Sequence, residues 1–181
     1  LWSETVYPTT FGNPKSEAGA EFDAAIQTIV NAAKVPFVFG TYDRDARGEY
    51  NAAAFVLPET GLLGFYRKTR LFPLTEYVPH WLDGPALRRW LPWTGSWLAG
   101  DGARVFPLRL KDGREVPVMT AICLDDVDTT LSIEGARLGA RAAGPPRARR
   151  GARDLRYRRQ RRGPARRRHA PRVSRPAALE G

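Results

Sequence analysis

A change of composition near residue 141 constrains this chain more than any motif in it. Residues 141–181 hold fifteen arginines, no lysine and two acids, Asp154 and Glu180, whereas residues 1–140 hold 14 basic and 17 acidic residues. The formal charge of +10 on the 181-residue chain therefore comes from its C-terminal stretch alone. Arg, Ala, Gly and Pro supply 32 of those 41 residues, with almost no large apolar side chain and no period of 2 or 3.6. Such a segment has too little to bury to offset its ordering entropy, so 142–181 is expected to be disordered. Folding is left to residues 1–141, enough for one core and hardly for two.

Three readings of the tail compete. Runs such as Arg158-Arg159-Gln160-Arg161-Arg162 and Arg166-Arg167-Arg168 would suit phosphate neutralisation on nucleic acid. Only Tyr157 interleaves an aromatic, however, and lysine is missing; nucleic acid is the weakest of the three as a partner. A solvated tail without a partner is the second. The third is translation out of frame, because Arg, Ala, Gly and Pro are the residues that G/C-only codons encode and the switch is abrupt.

Other classes are excluded more simply. One cysteine, Cys123, rules out an internal disulfide framework, and His80 and His169 are too few and too far apart for a zinc site; no metal is expected. No stretch approaches the roughly 18 apolar residues of a membrane span, and no basic-then-apolar signal segment opens the chain. The start at Leu1, without methionine, fits a fragment or a processed product.

Before the tail the pattern alternates. Glu17 to Lys34 predicts an amphipathic helix with Phe22, Ile26, Ile29, Val30 and Ala33 on one face and Ser16 as N-cap. Val35–Tyr42, Tyr50–Leu57 and Leu62–Lys68 read as strands joined by the turns 43–48 and 58–61, and such short loops favour antiparallel pairing. Arg104–Leu110 and Glu115–Ile122 form another hairpin around Lys111-Asp112-Gly113-Arg114, and a helix is expected over Thr129–Arg141. The class is α/β, with much of the sheet built from hairpins.

Three polar residues fall at strand ends or just beyond them: Glu4, Lys68 and Cys123. Brought together, they support one chemistry: a carboxylate takes the thiol proton, the thiolate attacks a carbonyl, and an ammonium stabilises the oxyanion. The lysine would also lower the thiol pKa. Taken singly each has a plain structural role, as a buried small hydrophobe, an exposed strand-end charge and a surface acid.

The text around them resembles the nitrilase (carbon–nitrogen hydrolase) superfamily, and within it the apolipoprotein N-acyltransferases. Trp2-Ser3-Glu4 matches the family's Trp-Pro-Glu with serine for proline. Gly64-Phe65-Tyr66-Arg67-Lys68 matches Gly-x-Tyr-x-Lys, and Glu76-Tyr77-Val78-Pro79 matches the Glu-Tyr-Val-Pro that marks the acyltransferase branch. Tyr50-Asn51-Ala52-Ala53 is similar to the family's Tyr-Asn-Ser/Ala stretch. Ile122-Cys123-Leu124-Asp125 keeps the thiol and an acid of Ile-Cys-Tyr-Glu but replaces its aromatic with Leu124.

The resemblance covers 1–141 and implies an incomplete αββα sandwich, C-terminally disrupted, with the membrane helices and the later strands of the family absent. It further implies that Glu4 is the general base, Cys123 the nucleophile and Lys68 the oxyanion stabiliser, with Glu76 and Asp125 as positioning carboxylates. The reaction would pass an acyl chain from a phospholipid, through a Cys123 thioester, to the amine of a diacylglyceryl-cysteine lipoprotein, without a cofactor. The setting would be the periplasmic side of a bacterial inner membrane. As a truncated chain it is expected to be inactive.

Trp81, Trp90, Trp93 and Trp97 fall between His80 and Gly100 with several leucines and the pair Arg88-Arg89. That mixture suits an arm at a membrane interface, indoles at headgroup level and arginines toward phosphates; an aromatic cover over the sheet is the alternative. Two other functions remain open: an amidase of the same superfamily, in which water resolves the intermediate, and a non-catalytic basic-tailed nucleic-acid binder.

Overall fold

The computed structural model describes residues 7–144, with side chains described as far as Ala142. Glu4, the expected N-terminal carboxylate, and residues 145–181 of the arginine-rich tail lie outside the described residues.

Helix α1 (Glu17–Ala33) starts where the sequence places it: the Ser16 hydroxyl accepts the Gly19 amide at 3.1 Å, satisfying one of the free donors of the first turn. It ends at Lys34, whose φ of 54° caps the helix before Val35-Pro36. Strands β1 (Phe37–Asp45), β2 (Gly48–Leu57) and β3 (Gly61–Arg67) follow as an antiparallel meander in the order β1-β2-β3, with a register shift at Phe55/Val56. After the short helix α2 (Pro85–Trp90), β4 (Phe106–Arg109) and β5 (Glu115–Thr120) pair antiparallel. Helix α3 (Thr129–Arg137) then leads to β6 (Ala142–Gly144), which pairs with β5 in parallel, Val118 opposite Ala142. A strand–helix–strand crossover is the connection a parallel pair needs.

Alternation along β2 defines the layers. Ala54 and Val56 face Ile26 and Val30 of α1 together with Tyr7, Phe11 and Phe39, while Ala53 and Phe55 face Phe106, Leu108 and Met119 of the second sheet. The Phe55 and Phe106 rings stack at 4.0 Å between centroids. On the far side α3 approaches β5 so closely that a Cβ on Gly135 would lie 2.0 Å from the Met119 sulfur. The order is helix, sheet, sheet, helix, with β2 buried on both faces and therefore continuously apolar.

Two expectations change. Phe22 and Ile29 are exposed, because the sheet meets α1 along Gly19, Ile26 and Val30 and leaves the other flank of the stripe uncovered. The second sheet continues to Gly144, three residues past the expected start of the tail, because the free edge of β5 accepts Ala142–Gly144 as a strand. Pro145 and Pro146, lacking amide donors, follow directly.

Candidate active site

Lys68 follows β3 directly. Its amide donates to the Asn51 carbonyl at 2.8 Å and its own carbonyl accepts from Gly100, also at 2.8 Å, so its backbone is held from two sides. The side chain is 1% exposed and its ammonium meets Glu76 Oε1 at 2.8 Å. A buried ammonium is tolerated only with such a partner. Glu76 is fixed in turn by the Asn51 side-chain amide (3.2 Å) and the Phe72 amide (2.7 Å).

Cys123 opens a 3₁₀ turn (Cys123–Val127) just past β5. Its thiol is free and half-buried, and its φ of 53° is left-handed, a costly conformation for a residue with a side chain. The restraint comes from Asp125, fully buried two residues on. One carboxylate oxygen accepts the Arg70 amide at 2.6 Å and the Thr69 amide at 3.2 Å; the other accepts the Tyr66 hydroxyl at 2.7 Å and the Ile122 amide at 3.2 Å. One carboxylate thus ties the residue before the thiol to the two residues after the ammonium. Burial pushes the Asp125 carboxyl above its ordinary pKa, against the pull of those four donors. The same burial and the adjacent Asp125 charge raise the Tyr66 phenol. A second tie lies further along: the Arg70 guanidinium pairs with Asp128, the N-cap of α3, and holds its carboxyl below the usual range.

Of the sequence-derived site residues, Lys68 and Glu76 are in contact, and Asp125 bonds the chain beside both Lys68 and Cys123. The Tyr66–Asp125 bond and the Asn51–Glu76 bond were not anticipated. Tyr66 could have been found from period 2, since it lies on the same face of the strand as Lys68.

The tryptophans divide. Trp81, Trp90 and Trp93 are 84%, 74% and 66% exposed. Trp97 departs from that group: its indole stacks on Tyr42 with centroids 4.8 Å apart and lines a cleft of about 780 Å³. Arg88 also departs from expectation. It is turned inward to Asp83 (2.7 and 2.9 Å) and the Thr94 carbonyl (3.0 Å), which staples the arm across α2 instead of facing phosphates. The return leg is stitched to the site, Gly95 to the Thr75 carbonyl, Trp97 to that of Glu76 and Gly100 to that of Lys68. The cleft lies between this leg, the segment after Lys68 and the 3₁₀ turn, and Leu124 is part of its wall. Among the described residues no cluster is arranged to hold a metal, and no helix is long and apolar enough to cross a membrane.

The helix, sheet, sheet, helix fold that carries these residues has a counterpart among solved amidases. Among solved structures the chain is similar to a cysteine-to-serine variant of an N-terminal amidase (16% identity, 78% of this chain and 32% of that one, TM-score 0.50). It is also similar to a carbon–nitrogen hydrolase from Helicobacter pylori (17% identity, 82% and 47%, TM-score 0.49). By sequence it is a relative of apolipoprotein N-acyltransferases. It is 26% identical to apolipoprotein N-acyltransferase 2 of Treponema denticola over 131 residues, and 26% identical to the apolipoprotein N-acyltransferase of Chlorobaculum tepidum over 147. Each match takes in 70% of this chain, which spans about a quarter of the length of either relative. No protein-family model matches the chain. The kinship is to enzymes.

Proposed function

We propose that residues 1–144 form the thiol centre of an N-acyltransferase acting at a membrane surface, and that the arginine-rich tail takes no part in its chemistry. The observation that carries the reading is the Asp125 carboxylate, which joins the strained Cys123 turn to the residues after Lys68. A half-buried thiol in a strained turn, tied through Asp125 to the residues that follow a buried ammonium, is suited to nucleophilic attack with oxyanion stabilisation. Kinship to the apolipoprotein N-acyltransferases supports the acyl-transfer branch.

In this mechanism Glu4 takes the thiol proton and the thiolate attacks the ester carbonyl of a phospholipid. The new S–C bond forms while Lys68, oriented by Glu76, balances the oxyanion. The ester C–O bond then breaks, and the lysophospholipid leaves with the proton held by Glu4. In the second half the amine of a diacylglyceryl-cysteine attacks the thioester, the C–N bond forms, Glu4 takes the amine proton, the C–S bond breaks and the thiolate is restored. The exposed Trp81, Trp90 and Trp93, indoles suited to the headgroup layer, support a lipid surface as the place of reaction.

Incubation of the chain with phospholipid vesicles tests this by intact mass. The expected product is a hydroxylamine-labile acyl adduct on Cys123 that is lost in Cys123→Ala. Persistence of the adduct in that variant would overturn the mechanism.

A further inference from the structure

The last residue of β3 carries a second matched charge set, on the other face of the sheet from Lys68. We propose that Arg67 is a positioning residue for Lys68: its guanidinium clasps β1, β2 and β3 together at the end from which the ammonium projects, and acylation of Cys123 depends on that clasp. This rests on the oxyanion role given to Lys68 above. Side chains alternate along a strand, so Arg67 points away from the side that holds Tyr66 and Lys68. Opposite it in register stands Ala52, whose methyl leaves the way open across β2 to β1. There the Arg67 Nε donates to Asp43 Oδ2 at 2.7 Å and an η nitrogen donates to Asp45 Oδ2 at 2.6 Å. The guanidinium carbon lies 3.9 Å from the centre of the Tyr50 ring, and the Tyr50 hydroxyl donates to Asp45 at 3.2 Å. A planar fork stacked on a ring is a geometry that a lysine ammonium does not reproduce. Strand β3 needs such an anchor, because among the described residues it is at the edge of its sheet and its pairing with β2 is interrupted at Phe55/Val56. The peptide joining Arg67 to Lys68 is also pressed from outside. A Cβ on Gly100 would lie 2.3 Å from the Arg67 carbonyl oxygen, so glycine is what lets the return leg approach it. Misplacing a catalytic group by about 1 Å costs on the order of a hundredfold in rate, and the clasp stands one residue from the group whose aim matters.

Two reagents separate aim from folding, because both consume the Cys123 thiolate and only one builds an oxyanion. With p-nitrophenyl acetate the S–C bond forms at the carbonyl, the ester C–O bond breaks and p-nitrophenolate leaves with the bonding pair. With iodoacetamide the S–C bond forms at the methylene carbon and iodide leaves with the C–I pair, so no charge develops on an oxygen. In both the thiol proton passes to the base or to water. The ratio of the two rates in the full 181-residue chain, followed by the mass of the labelled protein, therefore reports oxyanion stabilisation and cancels the thiolate population. Lys68→Met should lower that ratio by about a hundredfold, which sets the lower limit. Arg67→Lys keeps the charge and loses the fork, and should lower it by about tenfold. Asp45→Asn, at the more exposed of the two carboxylates, leaves a neutral acceptor in place of a charged one and should lower it by about threefold; it stands in if the Arg67 variant does not fold. Folded Arg67→Lys and Asp45→Asn chains with the parent ratio overturn the positioning role alone, however much stability they have lost. If Lys68→Met keeps the parent ratio, or the ester does not label Cys123, the acyl-transfer reading falls and takes the positioning role with it.

Discussion

The floor of the site and the tryptophan arm are joined in sequence at Lys68–Glu76 and are opposite in construction. On the floor Lys68 and Asp125 are buried, and each meets its partners at hydrogen-bond distance. In the arm, helix α2 has six residues and none is buried, and three indoles face solvent. Buried charge is costly unless matched, so a matched set fixes side chains in one geometry and suits chemistry. Exposed aromatic surface is costly in water and suits a contact with something else. The return leg, hydrogen-bonded at Gly95, Trp97 and Gly100, is where the two constructions meet.

The largest expected break lies in the floor. Glu76→Leu removes a carboxylate from a fully buried ammonium and should cost about 3–5 kcal/mol, measured by urea unfolding. Adding Lys68→Met should recover part of that loss without restoring acylation of Cys123, which separates the fold's need for the pair from the chemistry's. If the double variant is no more stable than the single one, the pair is not what sets the cost. Next, Asp125→Asn turns an amide N–H₂ toward donors that now face a carboxylate oxygen, and should cost about 1–3 kcal/mol. Its acylation rate should fall further than its stability, because the Cys123 turn loses its restraint; equal losses would make Asp125 merely structural.

A pH test sharpens the same region. The Asp128 carboxyl is depressed by Arg70, so its contribution is present above the ordinary Asp value and is lost as pH falls through its folded value. Asp128→Asn keeps an N-cap but not the charge. Its deficit in thermal midpoint is expected at neutral pH and should vanish in acid; a deficit constant with pH would deny the ion pair a role.

Much of the floor was legible in the sequence and little of its connectivity was. Ser16 as cap and the hairpin turns were readable because they are local chemistry, a hydroxyl and short polar loops. The text around Lys68, Glu76, Cys123 and Asp125 made them candidates, but it did not say what they touch. The φ of Cys123 depends on Asp125 reaching the amides of Thr69 and Arg70, more than fifty residues away. Phe22 and Ile29 obey the helical period, but which flank of that stripe meets a sheet is decided by the sheet. Arg88 looked like a free cation because nothing in its neighbours announces that the chain turns back at Thr94 to receive it.

The smallest expected stability effect is in the arm. Trp81→Ala, Trp90→Ala and Trp93→Ala should each leave stability within about 0.5 kcal/mol, since these indoles have little packing to lose. Trp97→Ala is the contrast, losing at least the roughly 0.5–1.5 kcal/mol of its ring pair with Tyr42. Binding should order the four the other way. In co-sedimentation with phosphatidylcholine vesicles, whose neutral surface gives an arginine tail no net charge to follow, the triple variant should lose binding and Trp97→Ala should keep most of it. Were the triple variant to bind as well as its parent, the arm would be a cover whose partner is protein, and the contrast between matched floor and unmatched arm would concern folding alone.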